Sequence, residues 1–328
     1  MSKERFEVGV DVGQSEVWAS LGSGKPRKFK HDESGVKQLY RWAKEKSGEL
    51  LLHFCMEATG VYSQSVAVRL LGRGRCEVSI VNPAQIAAFA KAQMRRSKTD
   101  QIDAQVIWDY AQSQQPHPWQ PERQAIQHLA ALVTQADALQ KTLRSWQNRC
   151  HTHQYHSDLP RTVQQTTAKV EQVLQQQLEK VQQEIHRLCQ ADTELKRDVD
   201  LLCTIPGVAE LTATRLLAYG KSALTQRTPK QLTAHAGLAP RHRQSGTSLN
   251  GKSRLCKQGD ARLRFLLYMP TIAAITFNPI IRYHYQRHLN NHKPKMVALM
   301  ACMKKLLLMA QAILISQQPF NPNLIPLT

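Results

Sequence analysis

The sequence predicts a mixed α/β amino-terminal domain, a helical coiled-coil arm and a mainly α-helical carboxy-terminal domain. Three observations carry this. Short β-rich runs alternate with helical periodicity over the first 118 of the 328 residues. Apolar residues then recur at heptad-like spacing over residues 119–200. Beyond residue 200, positive charge accumulates on apolar helical patterns. The expected domains are therefore 1–118, 119–200 and 201–328.

Phe6–Val12 and Val17–Leu21 read as strands joined by the turn signal Gly13-Gln14-Ser15. Arg27–Lys30 extends the series. Gly35–Lys46 carries Val36, Leu39, Tyr40 and Trp42 at helical spacing. Leu51–Met56 is a buried strand candidate, followed by a helix through Val61–Leu71. Val78–Val81 is another apolar strand, and Asn82-Pro83 opens a helix, because proline suits a first helical turn. Thr99–Ala111 is a last helix of this part, with Ile102, Val106, Ile107 and Tyr110 on its apolar side. In the next part, Ile126, Leu129, Val133, Ala136 and Leu143 form one heptad-like seam. Leu174, Leu178, Val181, Ile185 and Leu188 form a second. Pro160 breaks the chain between them, so two antiparallel helices are expected, and the pair could equally dock on a second chain. In the last part, Ile205-Pro206-Gly207 joins two apolar helical patterns. It reads either as a helix-hairpin-helix whose backbone N–H groups face a phosphate, or as an ordinary turn.

Forty-four Lys and Arg oppose 25 Asp and Glu, a net charge of +19. Residues 1–120 hold 17 basic and 13 acidic side chains, residues 121–200 hold ten of each, and residues 201–328 hold 17 and only two. A net +15 on one third of the chain points to a polyanion, since each neutralised phosphate releases a counterion. The 42% apolar content excludes global disorder. No apolar stretch suited to a signal peptide opens the chain. Met296–Ile315 is very apolar, but Lys304 and Lys305 interrupt it, which suits a core helix with one wet edge and not a bilayer. Seven scattered cysteines without a CxxC pair suit a reducing cytoplasm and indicate neither a zinc ribbon nor a disulfide framework. Cys150, His151, His153 and His156 match no common zinc spacing. Gly22-Ser23-Gly24-Lys25 is not a phosphate-binding loop, because Ala19 stands where its first glycine is needed and Pro26 follows the lysine.

The chemistry-bearing residues are carboxylates. Asp11 ends the first strand and Glu57 follows the strand Leu51–Met56. Asp100 and Asp103 stand at i and i+3, about 4.5 Å apart along one helix face. Such a set can converge on two Mg²⁺ ions, hard cations that take oxygen ligands and that phosphoryl transfer uses about 3.5–4 Å apart. Each residue also has an ordinary explanation: a turn for Asp11, a loop for Glu57, and the helix dipole for Asp100 and Asp103. Residues 237–248, containing Ser245, read as a loop. An unassisted serine is a poor nucleophile and commonly a turn residue. Arg241, Arg243, Lys252, Arg254, Lys257, Arg262 and Arg264 surround it and are the candidate nucleic-acid contacts.

Met56-Glu57-Ala58-Thr59-Gly60-Val61-Tyr62, Val81-Asn82-Pro83 and Lys98-Thr99-Asp100-Gln101-Ile102-Asp103-Ala104 resemble the motifs of DEDD-type bacterial insertion-sequence transposases, a family of RNA-guided recombinases. Ile205-Pro206-Gly207, Ala236-Gly237-Leu238-Ala239-Pro240-Arg241 and Gln244-Ser245-Gly246 resemble that family's serine-bearing domain. The resemblance implies a ribonuclease-H-like (RuvC-like) first domain, a coiled-coil arm and a transposase domain. It implies that Asp11, Glu57, Asp100 and Asp103 hold Mg²⁺, or Mn²⁺ in its place, and that Ser245 forms a covalent link to DNA. It further implies donor and target DNA, a structured noncoding guide RNA, a homotetramer, no membrane, and a place at the bacterial nucleoid in the cytoplasm. Ala209 departs from the family's second hairpin glycine, which weakens the phosphate-binding reading of that turn. The rival functions are a Holliday-junction or structure-specific nuclease using metal-activated water, a non-catalytic nucleic-acid-binding protein, and an actin-like sugar kinase suggested by Asp11-Val12-Gly13. The last leaves the basic third unexplained.

Overall fold

The computed structural model describes residues 5–95, 99–153, 155, 159–245, 249–256 and 258–324, with the backbone alone at 242–245 and 249–254. The chain forms two compact units, Met1–Pro121 and Glu122–Thr328.

The first unit is built on a five-stranded sheet of order β3-β2-β1-β4-β5. β1 (Arg5–Val12) runs antiparallel to β2 (Glu16–Ser20), which runs antiparallel to β3 (Arg27–Lys30). On its other side β1 is parallel to β4 (Leu51–Glu57), and β4 to β5 (Cys76–Val81). Strand alternation sorts the side chains. Val8, Val10, Val12, Leu52, Phe54 and Met56 are buried in one cluster with Val36, Leu39 and Ala43 of α1 (Glu33–Ser47) and Val66, Ala67 and Leu70 of α2 (Val61–Leu71). A second cluster joins Cys55 and Val81 to Ile86 of α3 (Pro83–Ala92) and to Val106, Ile107 and Ala111 of α4 (Asp100–Gln114). The sheet order is compatible with the ribonuclease-H-like arrangement expected. Short polar side chains set the helix starts: Asp32, Asn82 and Thr99 accept hydrogen bonds from Gly35, Ala84 and Ile102 N–H groups.

Polar groups lie buried on the α4 face. His53 is fully enclosed, with Nδ1 against the Glu7 carboxyl and Nε2 2.7 Å from Ser79 Oγ. The single Ser79 hydroxyl proton points to the carbonyls of His117 at 2.8 Å and Pro116 at 3.1 Å. Proton accounting then makes His53 Nε2–H the donor to Ser79. With Trp119 N–H donating to Val78 C=O at 2.6 Å, this network fastens the segment that leaves α4 to the outer strand.

The second unit opens with α5 (Gln124–His153) and α6 (Arg161–Ala191). Arg123 meets Asp192 at 2.9 Å, and Cys150 Sγ meets Glu171 at 3.1 Å, so the two helices run antiparallel. Ala136, Leu143 and Leu178 form their seam, with Leu139, Leu174, Val181 and Ile185 against it. At the other end Ile126, Leu129, Val133 and Cys189 enter the main core, with α7 (Thr193–Cys203), α8 (Glu210–Gln226), α9 (Pro229–His235), α10 (Ala261–Phe277), α11 (Pro279–Asn290) and α12 (Lys295–Ser316). The expected boundary at residue 200 therefore falls inside α7. The helix pair and the basic third share one core because the seam residues nearest 122 and 191 are buried by α7 and α8, not by each other alone. α12 is long and apolar enough to cross a membrane, but 61% of its apolar window is buried in this core. Asp198, almost fully buried on α7, pairs with Lys221 of α8 and accepts from Gln317 Nε2 at 3.1 Å.

Residues 240–245 depart from the expected loop. Pro240–Ser245 (β6) and Leu249–Leu255 (β7) pair as an antiparallel hairpin with an irregularity between Arg241 and Arg243. Its strands are polar on both faces, so no alternation of apolar residues announced it.

Helix α4 comes closest to the backbone of β1 at Gly9. A Cβ there would stand 2.3 Å from Trp108 N and 2.4 Å from Ala104 O, both backbone atoms of α4. Gly9→Ala should destabilise the first unit by about 3 kcal/mol or more through overpacking against an unyielding backbone, measured as a lowered urea midpoint of the sheet's unfolding transition.

Candidate active site

Parallel pairing sets Val10 of β1 against Met56 of β4. Asp11 and Glu57 follow one residue later, so both stand at the carboxyl edge of adjacent strands. Alternation also fixes their face. The missing Cβ of Gly9 points at α4, and Asp11 lies two residues on, on the same side. Cys55 packs into the α4 cluster, and Glu57 is likewise two residues on. The direction of α4 completes the set. Its Trp108 Nε1–H donates to Glu7 C=O at 3.0 Å, and Ala104 lies over Gly9. The helix therefore runs opposite to β1, and its first turn, with Asp100 and Asp103, lies toward Asp11. Asp100 is exposed, and Asp11, Glu57 and Asp103 are half-buried. The fold thus brings all four expected carboxylates to one face at one end of the sheet.

Four carboxylates are the donor chemistry of a hard divalent cation. Among the described residues, no three His, Cys, Asp or Glu side chains are gathered closely enough to hold a metal ion. The donors are of the right kind and share an edge, but as they stand they do not close a cage. Lys98, the first residue of the Lys-Thr-Asp motif, lies outside the described residues.

Ser245 belongs to the second unit. It is the last residue of β6, paired in register with Leu249. Gly246, Thr247, Ser248 and Lys257 lie outside the described residues. Arg241 is exposed and pairs in register with Arg254, while Arg243 pairs with Gly251, and Lys252 lies on β7. The base of this hairpin is fastened to α9 and α10. Cys256 N–H donates to Ala239 C=O at 2.9 Å and Asp260 N–H to His235 C=O at 2.7 Å. Gly259 has φ +147°, and a Cβ there would stand 2.3 Å from His235 O. Arg264 Nη1 donates to the carbonyls of Ala236 at 3.0 Å and Gly259 at 3.4 Å. Its guanidinium braces the hairpin, a role the sequence did not announce. Arg262 lies over the Tyr219 ring at 4.9 Å and 3.8 Å from Asp260. Burial and nearby Arg227 hold His235 below the usual histidine range, so it is neutral at neutral pH. The turn Ile205-Pro206-Gly207 is packed from one side: Gly207 has φ +99°, and a Cβ on it would stand 2.6 Å from Ala274 N of α10. Its glycine thus serves close packing.

Residues 8–157 match a family model described as a transposase of the DEDD type from IS110 elements, and residues 199–286 match a second, the transposase IS116/IS110/IS902 family. The chain belongs to the IS110 family of transposases. It is similar to a pilin gene-inverting protein of Moraxella bovis, 29% identical over 97% of this chain and 98% of that protein. Its counterpart from Moraxella lacunata matches to the same extent. A transposase for insertion sequence element IS1328 of Yersinia enterocolitica is 28% identical over 58% of this chain and 62% of its own length. The first family model spans all four carboxylates and the second spans Ser245. As an IS110-family transposase, the protein acts on DNA as a recombinase.

Because Arg264 braces the hairpin, Arg264→Ala should lower strand cleavage at least tenfold and cost about 1.5–3 kcal/mol of stability, the range for charge-assisted hydrogen bonds. The salt dependence of DNA binding should stay that of the parent, as read by anisotropy titrations over a range of KCl concentrations.

Proposed function

We propose that this transposase joins donor and target DNA by a Mg²⁺-dependent reaction in which Ser245 is the nucleophile and a structured RNA supplies the sequence information. The observation that carries the reading is the assembly of Asp11, Glu57, Asp100 and Asp103 at one end of one sheet face. Those four residues would hold Mg²⁺, or Mn²⁺ in its place, and the cation would supply charge neutralisation at the scissile phosphate. Ser245, at the end of a short braced hairpin and beside a stretch rich in Arg and Lys, would form an Oγ–phosphorus bond while a phosphorus–deoxyribose oxygen bond breaks. The Oγ proton leaves to a nearby base, and the released deoxyribose oxygen takes up a proton. The covalent link conserves the phosphodiester for strand exchange, whereas water would simply hydrolyse it. The four carboxylates belong to the first unit and Ser245 to the second, so the reading requires groups of both units, from one protomer or from two, to take part in the same reaction. A tetramer formed partly through the outer faces of the α5–α6 coiled-coil pair is the assembly we favour for this. The gene-inverting activity in the names of the Moraxella relatives supports recombination over plain cleavage.

A nicked suicide substrate tests the nucleophile. The parent protein should leave DNA covalently attached on a denaturing gel, and excess EDTA should remove both adduct and cleavage. Ser245→Ala should abolish the adduct while keeping nucleic-acid and Mg²⁺ affinity. Asp100→Asn should abolish it and weaken Mg²⁺ binding. Cleavage by Ser245→Ala would move the reading to a nuclease that uses water, and an adduct on Tyr268 would move it to a tyrosine recombinase.

The net +15 of residues 201–328 motivates the RNA partner. A dedicated guide should bind with a steep salt dependence and at least tenfold more tightly than unrelated RNA of equal length at moderate salt. Equal binding of both in filter assays would remove the guide from the reading.

A further inference from the structure

The first unit carries a second charged feature that the chemistry above does not use. A cavity of about 440 Å³ opens on the α1–α2 face of the sheet, lined by Lys37, Tyr40, Arg41, Lys44, Glu45 and Arg73. Helical spacing brings Lys37, Tyr40, Arg41 and Lys44 onto one side of α1. Tyr40 forms its floor, with its ring stacked on Phe54 at 6.4 Å. Its hydroxyl lies against Gly74, where φ is +151° and a Cβ would stand 2.8 Å from the oxygen. That hydroxyl makes no hydrogen bond with the described residues. Burial raises the phenol above its ordinary range, so it remains an O–H donor.

The cations differ in how far they are committed. Arg73 pairs with Glu33, and Lys44 donates to Gly48 C=O at 2.8 Å. Lys37 and Arg41 are exposed and have no ion-pair partner among the described residues. Four cations against one carboxylate leave the lining at +3. An amphipathic helix ordinarily mixes both signs on its wet face. Here the cations surround a concavity with a hydroxyl donor at its base. An anion recognised by a hydroxyl, ammonium groups and a guanidinium fork is a phosphate.

We propose that this cavity binds a backbone phosphate of the nucleic acid handled by the transposase, on the sheet face opposite the four carboxylates. The source is a polymer and not a free phosphate compound. Five of its six lining residues lie along α1, and the enzyme's own substrate is DNA. The inference stands on the family's action on DNA and does not depend on which residue is the nucleophile.

The test uses the full-length protein with a mixed-sequence DNA duplex and a structured RNA, followed by anisotropy over a range of KCl concentrations. Lys37→Gln combined with Arg41→Gln should weaken binding of at least one of them roughly tenfold at low salt and reduce the salt slope by about 1.4–1.8, the loss of two phosphate contacts. Because neither side chain holds another residue, the melting temperature should not change. Glu45→Gln should act in the opposite direction and tighten binding. Acetylation of Lys37 and Lys44, read by mass spectrometry, separates the sources. Nucleic acid should protect both lysines near its Kd, and inorganic phosphate or ATP should protect them only weakly. Slopes that match the parent for both ligands would overturn the proposal. So would strong protection by phosphate or ATP with no protection by nucleic acid.

Discussion

The first unit depends on how closely α4 lies on β1. An ordinary helix on a sheet is held off by a layer of side chains. At Gly9 there is none, and backbone atoms of Ala104 and Trp108 occupy the space a methyl group would need. The approach is held at three further points. Trp108 Nε1 reaches Glu7 C=O, Ser20 Oγ donates to Gln105 at 2.5 Å, and the Trp108 ring fills the space above Gly22, whose φ of +80° already excludes most side chains. These contacts fix both the height and the direction of α4. Its first turn, with Asp100 and Asp103, is thereby committed to the edge where Asp11 and Glu57 end their strands. A helix raised by one side-chain layer would carry those two carboxylates several ångströms away from the strand ends. The glycine that permits this placement is itself chemically inert.

Much of this was legible before any coordinates. Val8, Val10 and Val12 alternate with Glu7, Gly9 and Asp11, so both the strand and its two faces could be read from the period of two. Asn82-Pro83 and Thr99 mark helix starts by side-chain chemistry that acts locally, and their helices begin where expected. What stayed hidden depends on distant partners. The β6–β7 hairpin is polar on both faces, so its pairing leaves no hydrophobic trace in Arg241–Ser245. Arg264 looked like another phosphate contact because sequence displays its charge and not the carbonyls of Ala236 and Gly259 that engage it. The core shared by residues 119–200 and the basic third stayed hidden for a related reason. Ile126 and Leu129 have the same periodicity whether they face a partner helix or a whole core.

Buried polar groups do a different job in each unit. In the first, Glu7, His53 and Ser79 sit on three neighbouring strands and end on the carbonyls of residues 116 and 117. Each hydrogen bond contributes only about 1 kcal/mol net, but an unmet group at that depth would cost more than it gains when paired. The network therefore selects one placement for the departing segment more than it stabilises the sheet. In the second, Asp198 is almost wholly enclosed yet bound by Lys221 and by Gln317, which has just left α12. An apolar pair could pack there equally well. What the charged pair adds is a defined meeting of α7, α8 and the chain after α12, within a core made mainly of aliphatic side chains.

The distribution of charge imposes a last constraint. Four carboxylates on one edge face a substrate that is itself a chain of phosphates. At about 6 Å, two like unit charges repel by roughly 3 kcal/mol at an effective dielectric near 20, and four carboxylates multiply the opposition. Lys37 and Arg41 do not offset this, because they line the opposite face of the sheet. Nor can the neutral hydrogen-bond donors of loop backbones supply the missing charge. A DNA phosphate approaches that edge only when mobile or bound cations neutralise it, whereas the net +15 of residues 201–328 attracts DNA without any such help. Binding and chemistry should therefore respond oppositely to divalent ions. On the proposed chemistry, binding through the basic residues would weaken as added cations compete for phosphate, while reaction at the carboxylates would begin only once cations are present. Under the proposed chemistry, a protein with this division of charge would hold its substrate readily and cut it only when cations are present.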